Sequence, residues 1–434
     1  MAGGPPDQGS AAASAPRLRD TLGLWFKIGL ISFGGPAGQI ALLQDEFVDR
    51  RRLIDPRSFL HALNFCMLLP GPEAQQLATY LGYRLHGFWG GIVAGGLFIL
   101  PGAVIMFALA WIAAAHGRWP PLQAIFSGLA PVVAALVVLA LWRIGKRTLT
   151  SWISWGLAVG SLTMILVGAP FPFVILIALA AGVASAYANP AGPTGPEASS
   201  ATPPGLASEL GRLWKYTAGF AVLWLAPLAA VIVWAGAEPF ADIAALFSQA
   251  AFVTFGGAYA VLPFVAQSAV ETHGWLSSEA MVQGLALAET TPGPLILVNE
   301  YVGFLAGWNA SLAYDSGTLR PSAAGAVGAS IALWCTFLPS FYFVLAGAPL
   351  VERLIHDRRA TAALAAVGAA VVGAIASLGL LIGQAALAPD GAFDPKAALI
   401  SLAALLAMGC WRLAPQWALL SGGIVGLANW AFDL

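Results

Sequence analysis

The residues of this chain with the clearest chemical potential sit where a helix would have to break. Phe33-Gly34-Gly35-Pro36 and Pro70-Gly71-Pro72 lie in its first half, and Phe255-Gly256-Gly257 and Pro292-Gly293-Pro294 in its second. Inside a helix proline removes a backbone donor, and glycine costs about 1 kcal/mol relative to alanine. Proline is tolerated in a first turn, so Pro36, Pro72 and Pro294 can each open a half-helix. A helix N-terminus offers free N–H groups and about half a positive charge, which suits an oxyanion without any lysine. Glycine at 34, 35 and 71 lets such N–H groups approach an oxygen closely. The chemistry expected is anion coordination by backbone. The plainer alternative is a set of kinks that let helices pack, and four breaks at paired positions favour the first reading.

Polar side chains cluster around the breaks. The candidate substrate-binding set is Lys27, Ser32, Gly34, Gly35, Gln39, Pro70, Gly71, Pro72, Gln75, Gln76, Thr254, Gly256, Gly257, Thr291 and Gly293. Glu73, Glu289 and Glu300 are the candidate coupling or gating residues. An ionisable group inside a membrane is functional or paired, and a carboxylate repels an anionic substrate. Glu73 is read either as a proton carrier or as a cap on its helix N-terminus. Lys27 is either a counter-charge or a side chain that snorkels to the interface.

Other chemistries find no support. Cys66, Cys335 and Cys410 lie far apart in apolar segments and the five histidines are scattered, so no metal or redox centre of the usual spacing is expected. A phosphate-cradling loop is missing, which points to ion gradients as the energy source. No cofactor is implied and an enzymatic role is not expected. A formal net charge of -1 gives no field for nucleic acid.

The elements that must position these residues are membrane helices. Of the 434 residues 59% are hydrophobic and 9% charged, against about 25% charged in a soluble domain. Lipid must therefore cover much of the surface. A span needs about 20 apolar residues, and the clearest candidates are 88–115, 121–142, 214–235, 322–347 and 361–385. Shorter ones lie at 151–166, 170–187, 397–410 and 415–432. Residues 1–19 read as a disordered tail, 20–187 as a first transmembrane repeat, 188–212 as a cytoplasmic linker and 213–434 as a second repeat.

The repeat is explicit: Phe33-Gly34-Gly35 and Pro70-Gly71-Pro72 both recur 222 positions on (33 to 255, 70 to 292). Later the offset becomes 238 (Pro101 to Pro339), with an insertion expected at 309–321. The loop after the first Phe-Gly-Gly holds Arg50, Arg51, Arg52 and Arg57; its counterpart holds Glu271, His273 and Glu279. Cytoplasmic loops are enriched in Lys and Arg, so the two loops face opposite sides. The fold expected is an all-α polytopic membrane protein made of two inverted-topology repeats with broken, re-entrant helices. Its apolar surface permits a homodimer.

Phe26-Lys27-Ile28-Gly29, Ser32-Phe33-Gly34-Gly35-Pro36 with Gln39-Ile40, and Pro70-Gly71-Pro72-Glu73-Ala74-Gln75-Gln76-Leu77-Ala78 resemble the amino-terminal signature of the chromate ion transporter family. Thr254-Phe255-Gly256-Gly257-Ala258-Tyr259 and Thr291-Pro292-Gly293-Pro294 resemble its carboxy-terminal domain. The resemblance runs from about residue 20 to 430, at the length of the two-domain members. It implies gradient-driven chromate export across a bacterial inner membrane, hence chromate resistance, with sulfate as a competing oxyanion. Transport of another oxyanion such as sulfate is the alternative. The second half departs from the first at Leu295, Leu297 and Val298, which stand opposite Glu73, Gln75 and Gln76.

Overall fold

A computed structural model describes residues 17–188, 206–255, 257–313, 319–354, 358–389 and 391–432. Most of the expected tail and linker, and Gly256, lie outside the described residues. The described residues form helices α1 to α16 and no strand. Among the described residues five helices are long and apolar enough to cross a membrane: Glu73–His116, Pro120–Thr148, Tyr216–Ala235, Pro321–Gly347 and Arg359–Leu387. Four of them contain a span expected from hydropathy, and Tyr216–Ala235 covers all but the first two residues of the expected 214–235.

The first repeat opens with α1 (Leu18–Ile31), a break at 32–34, α2 (Gly35–Gln44) and a π-helical turn (Asp45–Arg50). Trp25 stacks on Phe47 with ring centroids 4.5 Å apart. Along one straight helix residues so spaced would stand about 33 Å apart. The chain therefore folds back at Gly34, where φ is 89°. The same happens between α3 (Pro56–Cys66) and α4 (Glu73–His116), where Phe65 lies 5.1 Å from Tyr80 across the Pro-Gly-Pro break.

At 44 residues α4 would run about 66 Å if straight, twice the hydrocarbon thickness. It turns at His86 and Gly87, the latter at φ 68°. The limbs 73–85 and 88–116 then pack antiparallel, so tightly that a methyl on Gly91 would stand 3.1 Å from the Thr79 carbonyl oxygen.

α5 (Pro120–Thr148), α6 (Trp152–Leu166), α7 (Phe171–Ala188) and α8 (Leu206–Ala235) follow. The second repeat then restates the first. α9 (Phe240–Val253) matches α1 at an offset of 222, and the π-helical turn Gln267–Thr272 after α10 (Ala258–Ala266) matches Asp45–Arg50. α11 (Ser278–Thr290) folds back on α12 (Val298–Ala313), with Gly284 under the Tyr301 ring. α13 (Pro321–Leu354), α14 (Arg358–Leu387), α15 (Pro395–Gly409) and α16 (Pro415–Ala431) complete it.

Two sets of contacts fix the relation of the halves. α14 is the counterpart of α5, and the two pack on each other: Val137 meets Gly379, Gly145 meets Val372 and Thr148 meets Gly368. Numbers rise along one helix as they fall along the other. Equivalent helices that run antiparallel belong to inverted repeats. The second limb of α4 confirms this. It packs first on its own 73–85 limb, meets Pro292 and Gly293 at Gly102 near its middle, and then places Phe107 against Phe304 of α12 at 5.3 Å. The hairpins of the two repeats thus approach from opposite sides and meet halfway along a crossing helix.

The repeats also interlock. Gly128 of α5 packs against Gly422 and Gly426 of α16, and Gly182 of α7 against Ala363 of α14.

Candidate functional site at the hairpin tips

In lipid a broken backbone must find partners within the protein. Here the tips supply one another. Gly71 N–H donates to the Thr254 carbonyl at 2.7 Å, and Gly293 N–H to the Ser32 carbonyl at 2.9 Å. The two bonds are counterparts under the repeat. Gln39 Nε2 adds donations to the carbonyls of Gly293 (2.6 Å) and Ser32 (3.3 Å), and Gln76 Nε2 donates to the Pro70 carbonyl at 2.7 Å. The structure thus brings together Ser32, Gln39, Pro70, Gly71, Gln76, Thr254 and Gly293. The Gly71 and Gly293 amides hold the tips to each other, so the N–H groups left for a ligand are those of the first helical turns.

Three such turns converge. Pro36 stands in the first turn of α2, Glu73 opens α4 and Gly257 precedes α10. A Cβ placed on Gly257 would lie 3.9 Å from Glu73 Oε1 and 4.0 Å from Pro36 Cγ. A carboxylate therefore occupies the place where three helix starts, from both repeats, face one another. Glu73 is half-buried.

The expectation that Pro72 and Pro294 open helices within the first turn needs correction. Both stand at the residue before the helix, at extended ψ, and Pro294 leads into a 3-10 turn (Leu295–Leu297) before α12. The turns at Gly71 (φ 130°) and Gly293 (φ 99°) delay helix nucleation past the second proline of each motif.

Several polar atoms at the tips are buried without a hydrogen-bond partner among the described residues: Ser32 Oγ, Gln75 Oε1, Gln76 Oε1 and Ser340 Oγ. Gln75 Nε2 is held by Thr79 at 2.9 Å. Ser340 of α13 was not among the residues expected from the sequence. It is the counterpart of Gly102 at the 238 offset and lies so close to Gly71 that a side chain there would strike its hydroxyl. The Pro101–Pro339 correspondence pointed one residue away from it.

Other candidates are placed elsewhere. Thr254 and Thr291 turn their hydroxyls back onto carbonyls of their own helices, at Ala250 and Leu287. Glu289 is hydrogen-bonded by the Tyr259 hydroxyl. Glu300 is buried on α12 with Oε2 unpartnered, beside Asn299, which donates to Thr336 at 3.1 Å. Lys27 pairs with Glu46 at 3.1 Å, and Arg51 joins the same carboxylate at 3.3 Å. Burial pushes the Glu46 carboxyl up, but hydrogen bonds from Lys27 and Arg51 outweigh it and hold the group below the ordinary carboxylate range. Lys27 thus braces the first hairpin, with its charge spent on Glu46.

Comparison with known proteins agrees with this architecture. The family described as chromate transporter matches residues 20–184 and 241–427, the two repeats without α8. The chromate transport protein of Pseudomonas aeruginosa is 33% identical over 83% of this chain and 80% of its own length. A probable chromate transport protein of Synechococcus elongatus is 27% identical, over 91% of this chain and 90% of its own. The chromate transport protein of Cupriavidus metallidurans is 26% identical over 86% and 85% respectively. No solved structure matches the chain.

Proposed function

The chain belongs to the chromate transporter family, and we propose that it is a secondary active transporter exporting chromate from the cytoplasm across a bacterial inner membrane. The observation that carries the site is the convergence of the α2, α4 and α10 starts around Glu73. A tetrahedral dianion seated there would take hydrogen bonds from first-turn amides and gain from three helix dipoles. The arginine-bearing loop with Arg50, Arg51, Arg52 and Arg57 is assigned to the cytoplasm by its charge.

Glu73 acts as the gate in this reading. Two unit charges 4 Å apart repel by about 4 kcal/mol at an effective dielectric of about 20. Anion and ionised Glu73 therefore exclude each other, and binding requires the carboxyl to take a proton or swing aside. The membrane potential, inside negative, favours outward movement of the dianion by about 2.3 kcal/mol per charge per 100 mV. Sulfate has the same shape and charge and fits the same donors, which makes it the competing substrate.

The test is chromate flux in everted membrane vesicles carrying the protein, with and without an imposed gradient and with sulfate as competitor. Saturable, gradient-dependent chromate uptake is expected. Robust sulfate flux without chromate flux would keep the architecture and overturn the substrate.

A further inference from the structure

The counterpart hairpins are not equally covered. Ala37, Ala41 and Gln44 form one stripe of α2 at helical spacing, and all three are exposed. Their counterparts 222 positions on are Tyr259, half-buried, and Pro263 and Ala266, both buried. α10 and α11 pack on α14 and α5, while the matching stripe of α2 stands open. The stripe is thus exposed on α2 and buried on α10, where Pro263 and Ala266 form part of a cavity wall.

Two cations belong to the open side. Arg143 and Arg147 lie one turn apart on α5, and both are exposed. Neither takes part in the ion pairs formed among the described residues. They stand on α5 where Leu381 and Ala385 stand on α14, and those two line a cavity beside Pro263 and Ala266, the counterparts of Ala41 and Gln44. By the repeat symmetry the pair therefore faces the exposed stripe of α2. Their neighbours on the same turns behave differently. Trp142 and Lys146, about 100° further round the helix, line an apolar outer groove of about 600 Å³ with Trp155 and Leu162. Lys146 has the surroundings of a snorkelling side chain, and neither arginine lines that groove.

The repeat supplies a control. At the 238 offset the counterparts of Arg143 and Arg147 are Leu381 and Ala385. Both line a cavity of about 470 Å³ on the opposite side, together with Gln267, Glu271 and Glu279 and with no cation. One mouth thus presents two guanidinium groups, and its symmetry mate presents carboxylates.

We propose that Arg143 and Arg147 form a capture site for a divalent tetrahedral oxyanion at the open mouth, upstream of the tips, and that the acidic opposite mouth repels the same anion once released. The proposal rests on the anion-transport reading above. Arginine suits it because its planar fork matches an oxyanion edge in two parallel hydrogen bonds. A site this exposed is screened beyond about 8 Å at physiological salt, so its contribution fades as ionic strength rises.

The test compares wild type with the Arg143→Gln/Arg147→Gln pair and with Lys146→Gln, all as full chains. It reads equilibrium binding of radiolabelled chromate to purified protein and flux in vesicles, each across a range of salt. The arginine pair is expected to raise the half-saturating concentration about 10-fold or more and to flatten its salt dependence, while Lys146→Gln matches wild type. An Arg143→Lys/Arg147→Lys pair keeps charge without the fork. It should fall between the two, and it serves if the glutamine pair does not fold. Wild-type affinity and salt dependence in the arginine variants, with wild-type flux present, would overturn the capture site and leave the transport function standing. A wild type that neither binds nor moves chromate or sulfate would overturn both.

Discussion

The two repeats share a backbone and differ in what hangs from it. Their elements keep one offset through α1 and α9 and through both π-helical turns. Yet Gln39 stands opposite Val261, Glu46 opposite Ser268, Glu73 opposite Leu295, and Gln75 and Gln76 opposite Leu297 and Val298. The apolar hairpins of the second repeat join the large core that contains α5 and α14, while those of the first repeat form a smaller cluster of their own. Symmetry of the backbone gives the molecule two related faces. Asymmetry of side chains gives the first repeat Glu73, Gln75 and Gln76 where the second places Leu295, Leu297 and Val298.

The largest expected effect comes from breaking what the halves share. Gly71 sits at φ 130° with Ser340 and Gln76 against it. Gly71→Leu should abolish transport while the protein still inserts into membranes; wild-type flux would sink the assignment of the tips as the site. Next comes the residue the halves do not share. Glu73→Gln should flatten the pH dependence of flux, and an unchanged profile would reduce Glu73 to a helix-start charge. The contrast in cover can be read directly with thiol reagents. Gln44→Cys should label readily and Ala266→Cys should label far more slowly, and equal labelling would contradict the difference in exposure between the two stripes.

Two smaller effects probe stability. Gln39→Leu removes the side-chain donor to the Gly293 carbonyl, while Ser32 keeps its bond from the Gly293 amide, and should cost about 1–3 kcal/mol for the buried acceptor left behind, seen as a lowered unfolding midpoint in detergent. The least effect is expected from acid. Glu46 is held below the ordinary carboxylate range by Lys27 and Arg51. Its stabilising contribution is complete above the unfolded-state value of about 4.3 and is lost as pH falls through the lower folded-state value. The second repeat, with Ser268 there, should lack this acid sensitivity. A thermal-unfolding profile from about pH 6 to pH 3 should therefore lose its acid limb in Glu46→Gln.

Much of this was legible in the sequence because it depends on local chemistry. Gly and Pro in apolar runs mark breaks wherever they occur, and loops with opposite charge at a constant offset reveal inversion. The five long spans follow from hydropathy alone. What escaped needs distance. Ser340 is one small hydroxyl in an apolar stretch, and only the fold sets it against Gly71. Lys27 looked free until Glu46 folded back beside it. Arg143 and Arg147 share their turns with Lys146, and a loop charge count treats all three alike. The helix starts after Pro72 and Pro294 shifted, and the one at Pro36 did not, because a glycine turn at positive φ carries the Pro-Gly-Pro chain past its second proline before a helix can form.

The reciprocal bonds between the tips have a consequence for how the chain is made. The Gly71 amide is synthesised long before the Thr254 carbonyl that satisfies it, and the Ser32 carbonyl must wait for Gly293. A nascent chain that has threaded its first hairpins into the bilayer carries open backbone groups in a low-dielectric setting until its second half arrives. The interlocked α5–α16 and α7–α14 pairs close later still, once α14 and α16 have been made. Maturation of this protein should therefore be a single late event, and a chain stopped between its repeats should be a substrate for membrane quality control.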